Sequence, residues 1–353
     1  MPSTAYGWAA PNAQSKLEPY TFERRDVGPH DVEIKIAFCG VCHSDVHQAR
    51  DEWDGSIFPM VPGHEIVGHV TKVGAEVTSH KVGDAVGVGC MVDSCMKCRQ
   101  CDRGVEQYCV NGASFTYNSV EQDKKTPTLG GYSDHVVVRD HFVVRIPKNL
   151  DLCATAPLLC AGITTFSPLR YWGVKKGSRV GVVGLGGLGH MAVKLASAMG
   201  AEVTVFTRSS KKVGEAKSLG AHHVVNTGNE AEMKAIQGSL DVIVDTVGTS
   251  HDLRPYMETL DIDGKLALVG MPEHEHPPLD PRRIIASRQS VGGSNIGGIP
   301  ETQEMLDFCG EHNITATVEK INIDYINEAY ERMLKSDVHY RFVIDMASLK
   351  NKE

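Results

Sequence analysis

The apolar run Arg179–Val183 leads through Gly184-Leu-Gly186-Gly187-Leu188-Gly189 into a helix-compatible segment at 190–199. A strand, a GxGxxG turn and a helix in that order leave few folds open. The first glycine permits a tight turn and the second lets a pyrophosphate approach the backbone. The third lets helix and strand pack closely, with the helix N-terminus facing the phosphates. Further strand-like runs follow at 202–206, 223–225, 241–245 and 265–269, with helix-compatible stretches such as 212–219 between them. This alternation marks βαβ units and a parallel sheet, so a Rossmann dinucleotide-binding domain is expected.

The chain ahead of this region reads differently. Short strand-like runs at 32–36, 66–73 and 135–146 are punctuated by Gly, Pro and Asp, the pattern of an antiparallel, barrel-like or irregular β domain. After Gly292 the pattern is mixed again and ends in a strand at 341–344, so the tail is expected to return to the first domain. With 353 residues, two cores are the natural expectation. The division expected is a mostly β catalytic domain, 1–157 with 293–353, and a Rossmann domain, 158–292, making the chain α/β. The glycine-rich segment 292–298 lacks the lysine of a P-loop and reads as a hinge-like passage between the two.

The end of the second strand selects the coenzyme. An NAD site carries Asp or Glu there, about 20 residues past the glycine motif, to bind the ribose 2′-hydroxyl. Here the strand runs into Thr207-Arg208-Ser209-Ser-Lys-Lys212. Hydroxyls, a guanidinium and an ammonium suit a 2′-phosphate instead, so NADP is expected.

The net charge of −8 argues against nucleic acid or an anionic membrane as the main partner. The longest apolar stretch, 180–200, is broken by glycines, His190 and Lys194 and does not read as a membrane span. The opening residues are polar and mixed, without a secretory pattern. In that setting ten cysteines read as metal ligands or buried thiols, and a cytoplasmic enzyme is expected.

Cys95-x2-Cys98-x2-Cys101-x7-Cys109 has the spacing of a closed four-thiolate zinc site that orders a lobe. Cys42, His64 and Cys160 are dispersed, and spacing alone does not unite them. Cys39, Cys153 and Cys309 read as buried thiols. His222-His223 and His274-x-His276 read as loop histidines, because a metal site needs more convergent ligands.

The segments GVCHSD (40–45), PGHE (62–65), the four-cysteine lobe, LLCAGIT (158–164) and GLGGLGH (184–190) together resemble the zinc-containing medium-chain alcohol dehydrogenases, over essentially the whole chain. PMVPGHEIVG, TPTLGGYSDHVVV and GSNIGG resemble the cinnamyl alcohol dehydrogenase branch in particular. The resemblance implies a GroES-like fold for the β domain and two zinc ions per chain. Cys42, His64 and Cys160 would bind the catalytic ion and leave one position open. It also implies that Ser44 contacts the reacting oxygen and that His47 is the outer end of a proton relay. Asp45 would orient His64, and Glu65 would tune the coordination sphere. His43 would contact the coenzyme pyrophosphate, and Thr164 the nicotinamide side. Gln48, Trp53, Cys90 and Ile296 would line a pocket for a small-molecule aldehyde or alcohol. A homodimer is implied as well. Plant members acting on lignin precursors tend to carry Trp after the lobe, where this chain reads Ala113-Ser-Phe-Thr-Tyr117. That departure favours a broad reductase of aromatic and medium aliphatic aldehydes over a dedicated monolignol enzyme.

Overall fold

The glycine turn sits in a six-stranded, all-parallel sheet ordered His223–Asn226, Glu202–Thr207, Arg179–Val183, Leu240–Asp245, Leu260–Leu268, Ser290–Gly293. Counted along the chain this is 3-2-1-4-5-6, the Rossmann order. Its switch point lies between Arg179–Val183 and Leu240–Asp245. Val180, Val182, Val203, Val205, Ile243 and Val244 are fully enclosed, as expected of strands covered on both faces. The helix Gly189–Ala198 turns His190, Met191, Val193 and Leu195 inward and packs on the helix Ala161–Tyr171. The computed structural model describes residues 2–349. It divides into two compact units, one made of the chain through Cys160 and from Gly297 onward, the other of Ala161–Ile296.

Of the glycine-rich segment 292–298, Gly292 and Gly293 belong to the sheet, and the remainder is the irregular passage in which the units divide. Ser290–Gly293 is the sheet's sixth strand, paired in register with Lys265–Leu268. Ser-Val-Gly-Gly offers one large apolar side chain, too little for a strand signal. Gly292 serves close packing: a Cβ there would stand 3.1 Å from the Trp172 ring. The fifth strand begins at Leu260, ahead of the expected 265, because Asp-Ile-Asp-Gly looks like a turn.

The first unit is built on a sheet ordered Val144–Arg145, Ala85–Val88, Ile66–Val73, Asp31–Gly40, Arg341–Asp345, Val318–Asn322, with His135–Arg139 also pairing Asp31–Gly40. Val32, Ile34, Ile36, Ile66, Val86, Val138, Phe342 and Ile344 fill its core. The strand expected over 135–146 is two short strands divided by a 3₁₀ turn, Asp140–Phe142. The Asp140 carboxylate accepts the His141 N–H at 2.9 Å, a local bond that competes with the ladder. The C-terminal strand does return to this unit, with Ile344 opposite Cys39 and Val343 opposite Gly40. Because Gly40 N–H also donates to the Glu65 carbonyl at 2.9 Å, the GVCHSD, PGHE and C-terminal segments meet at one place.

Candidate active site

Cys42 caps the helix His43–Ala49, and Asp45 at its third position accepts the Cys42 N–H at 2.8 Å. An acidic group there satisfies a donor the helix cannot and faces the positive end of its dipole. The same buried carboxylate accepts from Gly63 N–H at 3.2 Å and from the Tyr132 hydroxyl at 3.0 Å, and lies 3.4 Å from His64 Nδ1. One side chain thus ties two distant turns together. Gly63 has φ +103°, and a Cβ there would stand 2.7 Å from Tyr132 and 2.8 Å from Cys39 Sγ, so no other residue fits.

His64 is buried and stacks on Tyr117 at 5.6 Å and 11°. Its Nε2 has no hydrogen-bond partner among the described residues, a costly state for an enclosed polar atom. Cys42 and Cys160 Sγ lie 4.0 Å apart. The donor atoms of Cys42, His64, Glu65 and Cys160 all lie within 4.8 Å of one another. Tetrahedral zinc, with Zn–S near 2.3 Å, places two thiolates about 3.8 Å apart. Two soft sulfurs and an imidazole backed by a carboxylate therefore fit that ion.

The electrostatics point the same way. The hydrogen bond from Cys160 draws the Cys42 thiol well below its ordinary range, helped by Arg341 and His64. Cys160, donating to Cys42 and beside Cys90, is held well above it. Burial raises the Glu65 carboxyl to about 7 against the pull of Arg341. A dication is the charge that would let both thiols ionise together. Glu65 is fully enclosed and pairs with the almost fully buried Arg341, while its Oε2 has no hydrogen-bond partner among the described residues. Arg341 and Tyr117 escape a motif reading. Arg341 lies 276 positions from Glu65, and its only signal is a lone charge opening an apolar strand.

The four-cysteine lobe has its sulfurs within 4.8 Å of one another, with Cys95–Cys101 at 3.9 Å, Cys98–Cys101 at 3.5 Å and Cys98–Cys109 at 4.0 Å. Backbone N–H groups of Cys101 and Val110 lower the Cys98 thiol to about 6, whereas burial and its neighbours raise Cys101 to about 12. Four thiols this close cannot all ionise without a cation, so the set fits a closed zinc site. Cys101→Ser is expected to lower bound zinc from two ions per chain to one and the melting temperature by roughly 5 °C or more. Metal analysis and calorimetry check this; two zincs retained would remove Cys101 from the ligand set.

In the other unit, Gly184 has φ +87°, and a Cβ on Gly189 would meet the Gly184 carbonyl at 2.1 Å. A Cβ on Gly186 would meet nothing within 4 Å, an open cradle suited to a pyrophosphate. Thr207 is buried, Arg208 exposed and Ser209 half-buried. The Ser209 N–H reaches Thr207 Oγ1 at 3.2 Å. Lys212 Nζ donates to the Leu185 carbonyl at 2.9 Å, so this lysine ties the polar loop to the glycine turn. The cationic, hydroxyl-rich end of the second strand fits a 2′-phosphate. Thr164 is buried in the helix Ala161–Tyr171.

Ser44 is half-buried, its Oγ 3.6 Å from Cys42 Sγ. His47 Nδ1 lies 2.5 Å from Glu52 Oε2, and its ring stacks on Trp53 at 4.9 Å. Trp53 Nε1 is buried with no hydrogen-bond partner among the described residues. The half-buried Cys90 has its Sγ 3.9 Å from the Leu159 carbonyl, next to Cys160, and Gln48 is half-buried on the His43–Ala49 helix. His43 opens that helix exposed. Ile296 ends its unit at φ +53°, a strained conformation for a β-branched residue. Cys39, Cys153 and Cys309 are buried thiols.

Two family descriptions match the chain: "Alcohol dehydrogenase GroES-like domain" over residues 28–148 and "Zinc-binding dehydrogenase" over residues 187–311. The chain is 53% identical over 348 residues to NADP-dependent alcohol dehydrogenase C of Mycobacterium bovis, covering 98% of this chain and 100% of that one. It is 54% identical over 339 residues to aldehyde reductase YahK of Escherichia coli, covering 96% of this chain and 97% of the relative. Among solved structures, a cinnamyl alcohol dehydrogenase of Sorghum bicolor superposes with a TM-score of 0.95 at 47% identity, covering 99% of this chain and 100% of that one.

Proposed function

The chain belongs to the zinc-binding medium-chain alcohol dehydrogenase family, and on that footing we propose that it transfers hydride between NADPH and aldehydes or primary alcohols, as a broad reductase of aromatic and medium aliphatic aldehydes. The observation that carries this reading is the buried donor set of Cys42, His64 and Cys160, with His64 Nε2 unpartnered among the described residues. When bound, zinc supplies a Lewis acid to the substrate oxygen and NADPH supplies the hydride.

The remaining work falls to side chains. Cys42, His64 and Cys160 would hold the metal, and Asp45 at His64 Nδ1 fixes the ring and its tautomer. Glu65, paired with Arg341, tunes the charge beside the ligands. Ser44 Oγ holds the proton of the reacting oxygen, a task for a group that donates and accepts together. His47, carried by Glu52, exchanges that proton with solvent. Gly184, Gly186, Gly187, Leu188, Gly189 and His43 receive the pyrophosphate, and Thr164 the nicotinamide side. Thr207, Arg208, Ser209 and Lys212 receive the 2′-phosphate. Gln48, Trp53, Cys90 and Ile296 line the substrate. Residues 1–157 with 293–353 act as the catalytic domain, and 158–292 as the coenzyme domain.

The protein works as a cytoplasmic homodimer in this reading. The outer edge of Ser290–Gly293 pairs with no strand among the described residues, and Ile285 of the same unit is 78% exposed. An open strand edge and an exposed apolar side chain in the same unit invite a second copy.

Arg208→Asp tests the coenzyme reading. Losing a charge-assisted phosphate bond of about 1.5–3 kcal/mol should raise the KM for NADPH roughly 10- to 100-fold and leave NADH unchanged or improved. Steady-state kinetics with both coenzymes measure it; equal losses on the two would exclude Arg208 from phosphate recognition.

A further inference from the structure

Asp245 ends the strand Leu240–Asp245, His251 stands in the loop after it, and His276 in the loop after Leu260–Leu268. All three lie in the parallel-sheet unit, at the carboxyl ends of strands, where open α/β sheets bind ligands. None belongs to either cysteine set. The hydroxyl of Ser250 donates to the Glu275 carbonyl at 2.7 Å and clips the two loops together.

Asp245 is only 2% exposed. Its Oδ1 accepts the Val247 N–H at 3.1 Å, and its Oδ2 faces His251 Nε2, also at 3.1 Å. Yet Oδ2 and Nε2 are both buried with no hydrogen-bond partner among the described residues. His251 Nδ1 lies 2.9 Å from the Thr249 carbonyl. A carbonyl only accepts, so Nδ1 carries the proton and, in the neutral ring, Nε2 presents a lone pair to a carboxylate. Asp245 beside it raises His251 above the usual histidine range, so a cation belongs between the two atoms, either a proton or a metal ion. His276 Nδ1 lies 3.1 Å from the His251 carbonyl and 3.3 Å from the His251 backbone nitrogen, which anchors the ring beside His251. A histidine whose second nitrogen donates to a backbone carbonyl, as His251 does, is arranged as metal ligands commonly are. Donor atoms of Asp245, His251 and His276 lie within 4.8 Å of one another.

We propose that Asp245, His251 and His276 form a third metal site, taking one divalent ion of the zinc and cobalt class. Two imidazoles and a carboxylate suit that class, and leave room for a water or another small ligand.

Cobalt(II) titrated into the zinc-loaded enzyme tests the proposal by absorbance and metal analysis. The expected result is one cobalt per chain beyond two retained zincs, with d–d bands and no thiolate-to-metal charge-transfer band. His276→Ala, in a half-exposed loop, should weaken cobalt binding by at least about tenfold, as should Asp245→Asn, with both zincs kept. No uptake beyond the two zincs would overturn the proposal and leave a protonated His251 paired with Asp245. Uptake carrying thiolate bands, or unaltered in His276→Ala, would overturn it equally.

Discussion

His64→Ala is expected to lower kcat/KM for aldehyde reduction by roughly 10³-fold or more, with zinc falling from two ions per chain to one and NADPH affinity little changed. The imidazole supplies the one nitrogen of the donor set, and its Nε2 has no other partner among the described residues. Asp45 at Nδ1 and the Tyr117 ring hold it in place. Without it, the donor set is two sulfurs 4.0 Å apart and Glu65, and Glu65 is committed to Arg341. A Lewis acid contributes several kcal/mol of charge stabilisation in the transition state, and each 1.4 kcal/mol is about a factor of ten. Coenzyme fluorescence titration separates the effect from coenzyme binding, because the glycine turn lies elsewhere in the chain. Turnover within tenfold of the parent would deny His64 a ligand's role.

Arg341→Leu is expected to destabilise the protein by about 3–5 kcal/mol, because removing one partner strands a buried charge. Glu65 has no exposed surface, and Arg341 is the cation that pairs with it. Through Glu65, Arg341 joins the last strand to the turn that carries His64. Arg341→Lys keeps the charge but loses the planar fork and should recover part of the loss. Urea denaturation measures both. A loss under about 1 kcal/mol for the leucine variant would mean the pair is not what holds the C-terminal strand to the site.

What the sequence discloses of this architecture follows how local each signal is. The glycine turn, the strand Arg179–Val183 and the cysteine lobe are contiguous, and their chemistry is written in neighbouring residues. The set Cys42, His64 and Cys160 is not; resemblance alone united it, and the fold then brought its donor atoms together. Ser290–Gly293 escaped because glycines carry no hydrophobic period. Arg341 escaped because its partner is made by strand pairing across the chain. His276 is a loop histidine, as expected, and Asp245 and His251 come near it only after two strands have aligned. Long-range pairing is fixed by register and burial, which no window along the chain contains.

The most direct test is aldehyde-dependent oxidation of NADPH against NADH, over a panel from cinnamaldehyde and benzaldehyde to short aliphatic and sugar aldehydes, with zinc content measured on the same sample. The expected result is fast turnover of aromatic and medium-chain aldehydes with NADPH, and much slower turnover with NADH. No turnover of any aldehyde by protein holding both zincs, or a clear preference for NADH, would contradict the account.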